Sequence, residues 1–161
     1  MEDRRVNKIK INKDNKVMII WEKKMGESYD EYSLNCSEPA RPELYAAIQN
    51  LAIHVIEMCE LPEEYISRIK VKGVSFSYSE KKETMGAVIT AIMDLKYSFQ
   101  PLNLNTPHKT VDFPNDGNGA EEMLLSGECI DVLDTVVKEA FKYIDGDRAQ
   151  QKLFDEENKS A

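Results

Sequence analysis

Few features that would identify a chemistry occur in this chain. Its three cysteines, Cys36, Cys59 and Cys129, are odd in number and stand at no paired metal-ligand spacing. That excludes a disulfide-built scaffold and reads as buried free thiols. Of the two histidines, His54 sits beside Val55 on an apolar helical stripe and reads as structural or surface. There is no glycine-rich phosphate loop, no nucleophile–base set and no metal spacing, so no enzyme, cofactor or metal is expected. Long hydrophobic runs are missing too, which argues against a membrane span. Met1-Glu2-Asp3-Arg4-Arg5 leads into no apolar signal core, and a cytosolic protein is expected.

What the chain does contain is the composition of a folded domain: 161 residues, 42% hydrophobic and 31% charged. The formal charge of −8 is unevenly spread. From Pro107 onward there are 6 basic against 13 acidic residues, −7, and the part before carries 15 against 16, −1. Within Met1–Lys24 the balance reverses, 8 against 4, +4. A basic amino end and an acidic carboxyl third make a bipolar molecule, read either as two solvated faces or as a nucleic-acid-facing hairpin and an acidic mimic.

Val6–Ile11 and Val17–Trp21 are strand candidates joined by Lys13-Asp14-Asn15-Lys16, residues suited to a tight turn. Lys8, Lys10, Lys13 and Lys16 would line its rim, where edge lysines discourage aggregation. With Trp21 and Tyr29 nearby, the same lysines are the candidate nucleic-acid contacts. Tyr32, Leu34 and Cys36 alternate along a third strand. Leu44, Ala47, Ile48, Leu51, Val55, Met58 and Cys59 predict one amphipathic helix from about Pro42 to Cys59, ended by Leu61-Pro62. The densest β signal runs from Tyr65 to Lys109. In Ile69–Tyr78 the apolar parity switches at Gly73, which predicts a bulge or bend. Gly86–Met93 reads as a buried strand and Leu102–Asn105 as another. Pro114-Asn115-Asp116-Gly117-Asn118-Gly119 is the clearest loop. Ser126 caps a second helix with the stripe Ile130, Leu133, Val136, Val137, Ala140, Phe141 and Ile144, stopped by Asp145-Gly146, with Asp134, Glu139 and Lys142 toward solvent. The expectation is a single α+β domain over 1–146, with an antiparallel sheet of about six strands (β-β-β-α-β-β-β-α) and two packed helices, then a flexible polar tail over 147–161.

Asn103, Asn105, Thr106, His108 and Lys109 form the most ligand-like cluster: amides, a hydroxyl, an imidazole and an ammonium able to grip a phosphate or a base edge. In the tail, Leu153 and Phe154 stand out among polar residues. Gln150-Gln151-Lys152-Leu153-Phe154 resembles the Q-x-x-L-F peptide by which bacterial replication and repair proteins dock on the DNA sliding clamp. The resemblance makes Gln150 a rim contact and Leu153 and Phe154 the pocket anchors. Gln151 and Lys152 stand where that family often has Leu and then Ser or Asp. The alternative is that Leu153 and Phe154 fold back on the domain. The chain also resembles small uncharacterised α+β proteins encoded by bacteriophages of low-GC bacteria, through Val71-Lys72-Gly73-Val74, Thr84-Met85-Gly86-Ala87, Leu104–Lys109 and Arg148-Ala149-Gln150…Leu153-Phe154. That resemblance implies an origin and no activity. Together these readings lead to a non-enzymatic accessory protein that reaches host replication or repair machinery through its tail. The other reading is an anti-defence protein, oligomeric, that inhibits an immune effector or sequesters a nucleotide.

Overall fold

The computed structural model of the chain describes residues 3–35, 37–78, 85–113 and 119–148. Among these residues lie seven strands: β1 Arg4–Ile11, β2 Val17–Met25, β3 Ser28–Asn35, β4 Ile69–Tyr78, β5 Met85–Met93, β6 Leu102–Asn105 and β7 Lys109–Thr110. Three α-helices accompany them, α1 Pro42–Gln49, α2 Ala52–Met58 and α3 Gly127–Ile144. The strands make one antiparallel sheet in the order β3-β2-β1-β4-β5-β6, and the short β7 continues along β5 beyond β6. The fold is α+β, as the sequence pattern implied.

Local chemistry sets each turn. In the β1–β2 hairpin the Asn12 side chain accepts from the Asp14 and Lys16 amides, both at 2.9 Å, and Asn15 adopts a left-handed φ of 61°. Gly26 takes φ 67° between β2 and β3, an angle glycine adopts without steric cost. The parity switch in β4 is a register shift between Val71 and Gly73. A Cβ on Gly73 would collide with the Ile9 carbonyl oxygen, so glycine is what lets β1 and β4 close.

All three helices lie on one side of the sheet. Ile9, Ile19, Val74 and Ile89 from the strands meet Leu44, Ile48, Val55, Leu133 and Val136 from the helices, each 1% exposed or less. Each such aliphatic contributes about 1.5–3 kcal/mol relative to exposure. The single helix expected from Pro42 to Cys59 is two. At the junction Leu51 N donates to Ile48 O at 3.1 Å, a tighter step than the helical ladder, and Leu51, Ala52 and His54 to Ile56 are then buried in succession. A stripe-counting argument sees the spacing but not this change of step. The Gln49 amide faces the start of β4, donating to Ile69 O at 2.9 Å and accepting from Val71 N at 3.2 Å. It thereby satisfies backbone that β1, paired with β4 only at Gly73–Ser75, leaves bare.

Helix α3 starts where expected: Ser126 Oγ accepts from Cys129 N at 3.1 Å. It stops at Asp145, with Gly146 at φ 103°. Glu139 is not turned to solvent as its stripe position suggested; its side chain is 11% exposed and pairs with Lys142 at 3.1 Å. Bonded contacts continue past Gly146, since Asp147 meets Arg41 at 2.8 Å and Arg148 meets Glu38 at 3.5 Å.

Candidate nucleic-acid interface

Because no described helix covers it, the second face of the sheet is presented to solvent, and the strand register specifies what it carries. One row across it reads Asn35, Met18, Lys10, Gly73, Thr90 and Asn105. The adjacent row reads Ser33, Ile20, Lys8, Ser75 and Val88. Lys8, Lys10, Ser33, Asn35, Thr90 and Asn105 are exposed, while Met18, Ile20, Ser75 and Val88 are half-buried beside them. Neither row holds a carboxylate. Two ammonium groups therefore stand mid-sheet among hydroxyls and amides, over aliphatic side chains. Lys8, Lys10, Lys13 and Lys16 make no ion pair with any described residue.

This corrects the edge-strand reading of Lys8 and Lys10. Strand β1 is interior, flanked by β2 and β4, so its lysines cannot serve as an edge guard. Toward the hairpin the face deepens into a groove of about 370 Å³ lined by Lys10, Asn12, Lys16, Met18, Asn35 and Ser37. Lys13 is exposed in the turn itself. Trp21 does not join them. It pairs with Val6 and Tyr32 on the helix-covered side, its ring stacked on Tyr32 at 5.4 Å. Tyr29 is likewise occupied, under the Arg5 guanidinium at 3.9 Å.

Carboxylates begin in the third row. There Arg5 Nε donates to Glu22 at 2.7 Å. Burial opposes the charged form of Glu22, but hydrogen bonds from Asn7 and Arg5 and the Arg5 charge outweigh it and hold the carboxyl below its usual range. Arg5 is thus neutralised locally, whereas Lys8 and Lys10 are not.

The polar segment near Pro107 is divided among several tasks. Asn103 is exposed on the open face opposite Ile92, and Asn105 Oδ1 accepts from Thr90 Oγ1 at 2.9 Å. Thr106 is buried, its Oγ1 accepting from Ile89 N at 2.9 Å. His108 lies over Gly86 at the far end, its Nε2 2.7 Å from Ser77 Oγ. Lys109 projects to the helix side, where Nζ donates to Glu122 O at 2.8 Å. That side holds a separate cleft of about 590 Å³ walled by His54, Glu57, Lys109, Glu122, Leu125 and Cys129. His54 is 3% exposed, and its Nδ1 lies 3.4 Å from Glu57 Oε2 without a hydrogen bond. With Glu57, Glu121 and Glu122 around one ammonium, the cleft disfavours an anionic ligand. Burial pushes the Cys129 thiol up to about 11, leaving it protonated and unreactive at neutral pH. Cys59 is half-buried, and Cys36 lies outside the described residues.

Sequence reading missed Ser33, Asn35, Ser75 and Thr90, whose only signal is alternation with apolar neighbours. Gln150, Leu153 and Phe154 also lie outside the described residues. Among the described residues no group of three or more metal-ligating side chains converges, and no helix is long and apolar enough to cross a membrane. No protein-family model matches the chain, and neither a curated protein nor a solved structure matches it.

Proposed function

We propose that this chain is a non-enzymatic accessory protein of DNA replication or repair that holds single-stranded nucleic acid across the open face of its sheet, in the bacterial cytosol. The observation that carries this reading is the pair of carboxylate-free rows centred on Lys8 and Lys10. Unpaired ammonium groups over a shallow surface suit phosphates, and the flanking Ser33, Asn35, Ser75 and Asn105 supply donors to phosphate oxygens. The tail peptide with Gln150, Leu153 and Phe154 completes the proposal as a tether to the sliding clamp, supported by its likeness to the Q-x-x-L-F peptide. Origin in a bacteriophage accords with the resemblance of the chain to phage-encoded proteins.

The test is fluorescence anisotropy of labelled oligothymidylate with the full chain and with Lys8→Gln/Lys10→Gln, over a salt series. Neutralising two phosphate contacts should weaken binding and flatten the log–log salt slope by roughly 0.7 per lysine. An unchanged slope would remove the lysine face from the interaction, and no binding by the unaltered chain would overturn the nucleic-acid reading. Calorimetry with a bacterial sliding clamp tests the tether separately. Leu153→Ala/Phe154→Ala should abolish that heat and leave the anisotropy unaffected.

A further inference from the structure

Among the described residues two aromatic rings are bare. Tyr97 is 98% exposed and Phe99 105%, in the segment 94–101 between β5 and β6. Folded chains rarely leave neighbouring aromatics uncovered without a partner for them. The segment is not a loose end. Its feet are fixed by the pairing of Met93 with Leu102, Asp94 N donates to Arg68 O at 3.1 Å, and Gln100 N donates to Ser98 Oγ at 3.1 Å.

The surroundings narrow the kind of partner. Tyr65, Arg68, Leu95, Lys96 and Tyr97 line a shallow groove of about 400 Å³ at this end of the sheet. Arg68 stacks on the Tyr65 ring at 4.7 Å. Lys70, which pairs with Ile92 on the open face, lies 3.7 Å from Asp94. Glu63 and Glu64 occupy the opposite, N-terminal turn of the 3₁₀ helix Glu63–Arg68. Arg68 and Lys96 therefore stand beside the aromatics as cations, while Lys70 is paired with Asp94.

Continuity with the lysine rows supplies the rest. Along β5, Thr90 belongs to the Lys10 row, Ile92 to the row of Lys70 and Asn103, and the aromatic segment begins two residues later. From Thr90 to Asp94 the strand advances roughly 13 Å. Resting on the phosphate-binding reading above, we infer that Tyr97 and Phe99 are the base-stacking platform of the same interface. A strand whose phosphates cross Lys8 and Lys10 and reach Arg68 and Lys96 would lay its bases on these rings. Stacking suits bare ring faces and tolerates any base, and it supplies the element that Trp21, on the covered side, does not.

The experiment compares oligothymidylate with an abasic oligonucleotide of equal length and charge, using the full chain, Tyr97→Ala/Phe99→Ala and Lys8→Gln/Lys10→Gln. The unaltered chain should bind the thymidylate about tenfold more tightly than the abasic strand. The aromatic variant should erase that preference while keeping abasic affinity, and the lysine variant should weaken both. Equal binding of the two probes by the unaltered chain would overturn the stacking role and leave the phosphate face standing. So would an aromatic variant that retains the preference. Loss of clamp heat by the aromatic variant with thymidylate affinity intact would assign the loop to a protein partner and overturn it equally. Failure of the unaltered chain to bind either probe would remove both readings. Both side chains are exposed, and circular dichroism of the variant checks that the fold survives.

Discussion

Tyr78 shows how one side chain joins strand pairing to solution behaviour. Its hydroxyl donates to the Val6 carbonyl oxygen, and its ring lies 4.6 Å from the Arg5 guanidinium that also covers Tyr29. Burial pushes the phenol up to about 12, with Arg5 opposing and Glu22 adding to the rise. An unfolded phenol ionises near 10, so between pH 10 and about 12 only the unfolded chain has lost the proton. Stability present below pH 10 is therefore lost as pH rises through about 12. Tyr78→Phe should cost about 1 kcal/mol at neutral pH with the lost hydrogen bond, and should decline less in alkali. Urea unfolding of both proteins near neutrality and at about pH 11 checks this; parallel declines would contradict it.

Among the elements, α3 is the one whose formation rests most on its own residues. Ser126 satisfies the amide of Cys129, Glu128 lies in the first turn and Lys142 in the last, in accord with the helix dipole. Ser126→Ala should lower stability by about 1 kcal/mol, read as a reduced urea midpoint at unchanged slope. An unchanged midpoint would mean that packing of Leu133, Val136 and Ala140 alone holds the helix start. Helices α1 and α2 differ in kind. Neither has a side-chain cap, and their junction is held by what lies beneath it. The β5–β6 connection differs again, with feet fixed by pairing and aromatic side chains left free.

Across the whole molecule, the acidic excess of α3 and the two central lysines of the sheet stand on opposite sides. Glu128, Asp131, Asp134 and Glu139 lie in α3 on the helix side, while Lys8 and Lys10 occupy the middle of the opposite face. A net charge of −8 thus coexists with two carboxylate-free rows around Lys8 and Lys10. Sheet and helices share one core, so they should unfold together. Trp21, the only tryptophan, reports the β2–β3 margin through its stack on Tyr32, and far-ultraviolet dichroism reports the helices. The two signals should give one urea midpoint. Separate midpoints would show that the margin melts apart from the core.

By itself the sequence determined the local geometry: the Asn15 turn, the bulge before Gly73, the Ser126 start and the Gly146 stop. Each depends on short-range sterics or on one side chain meeting backbone a few residues away. The α+β class followed from the same periodicities. What only the tertiary structure decided is which strands are neighbours. Insertion of β1 between β2 and β4 moved Lys8 and Lys10 from a supposed rim to mid-sheet, while the β1–β2 register sets Trp21 opposite Val6 on the other face. The polar residues near Pro107 looked like one site because they are adjacent in the chain, yet the break between β6 and β7 at residues 106–108 switches the facing parity and leaves Asn105 and Lys109 on opposite faces. Strand order and face depend on pairing between segments far apart in sequence, and no local pattern of residues encodes that pairing.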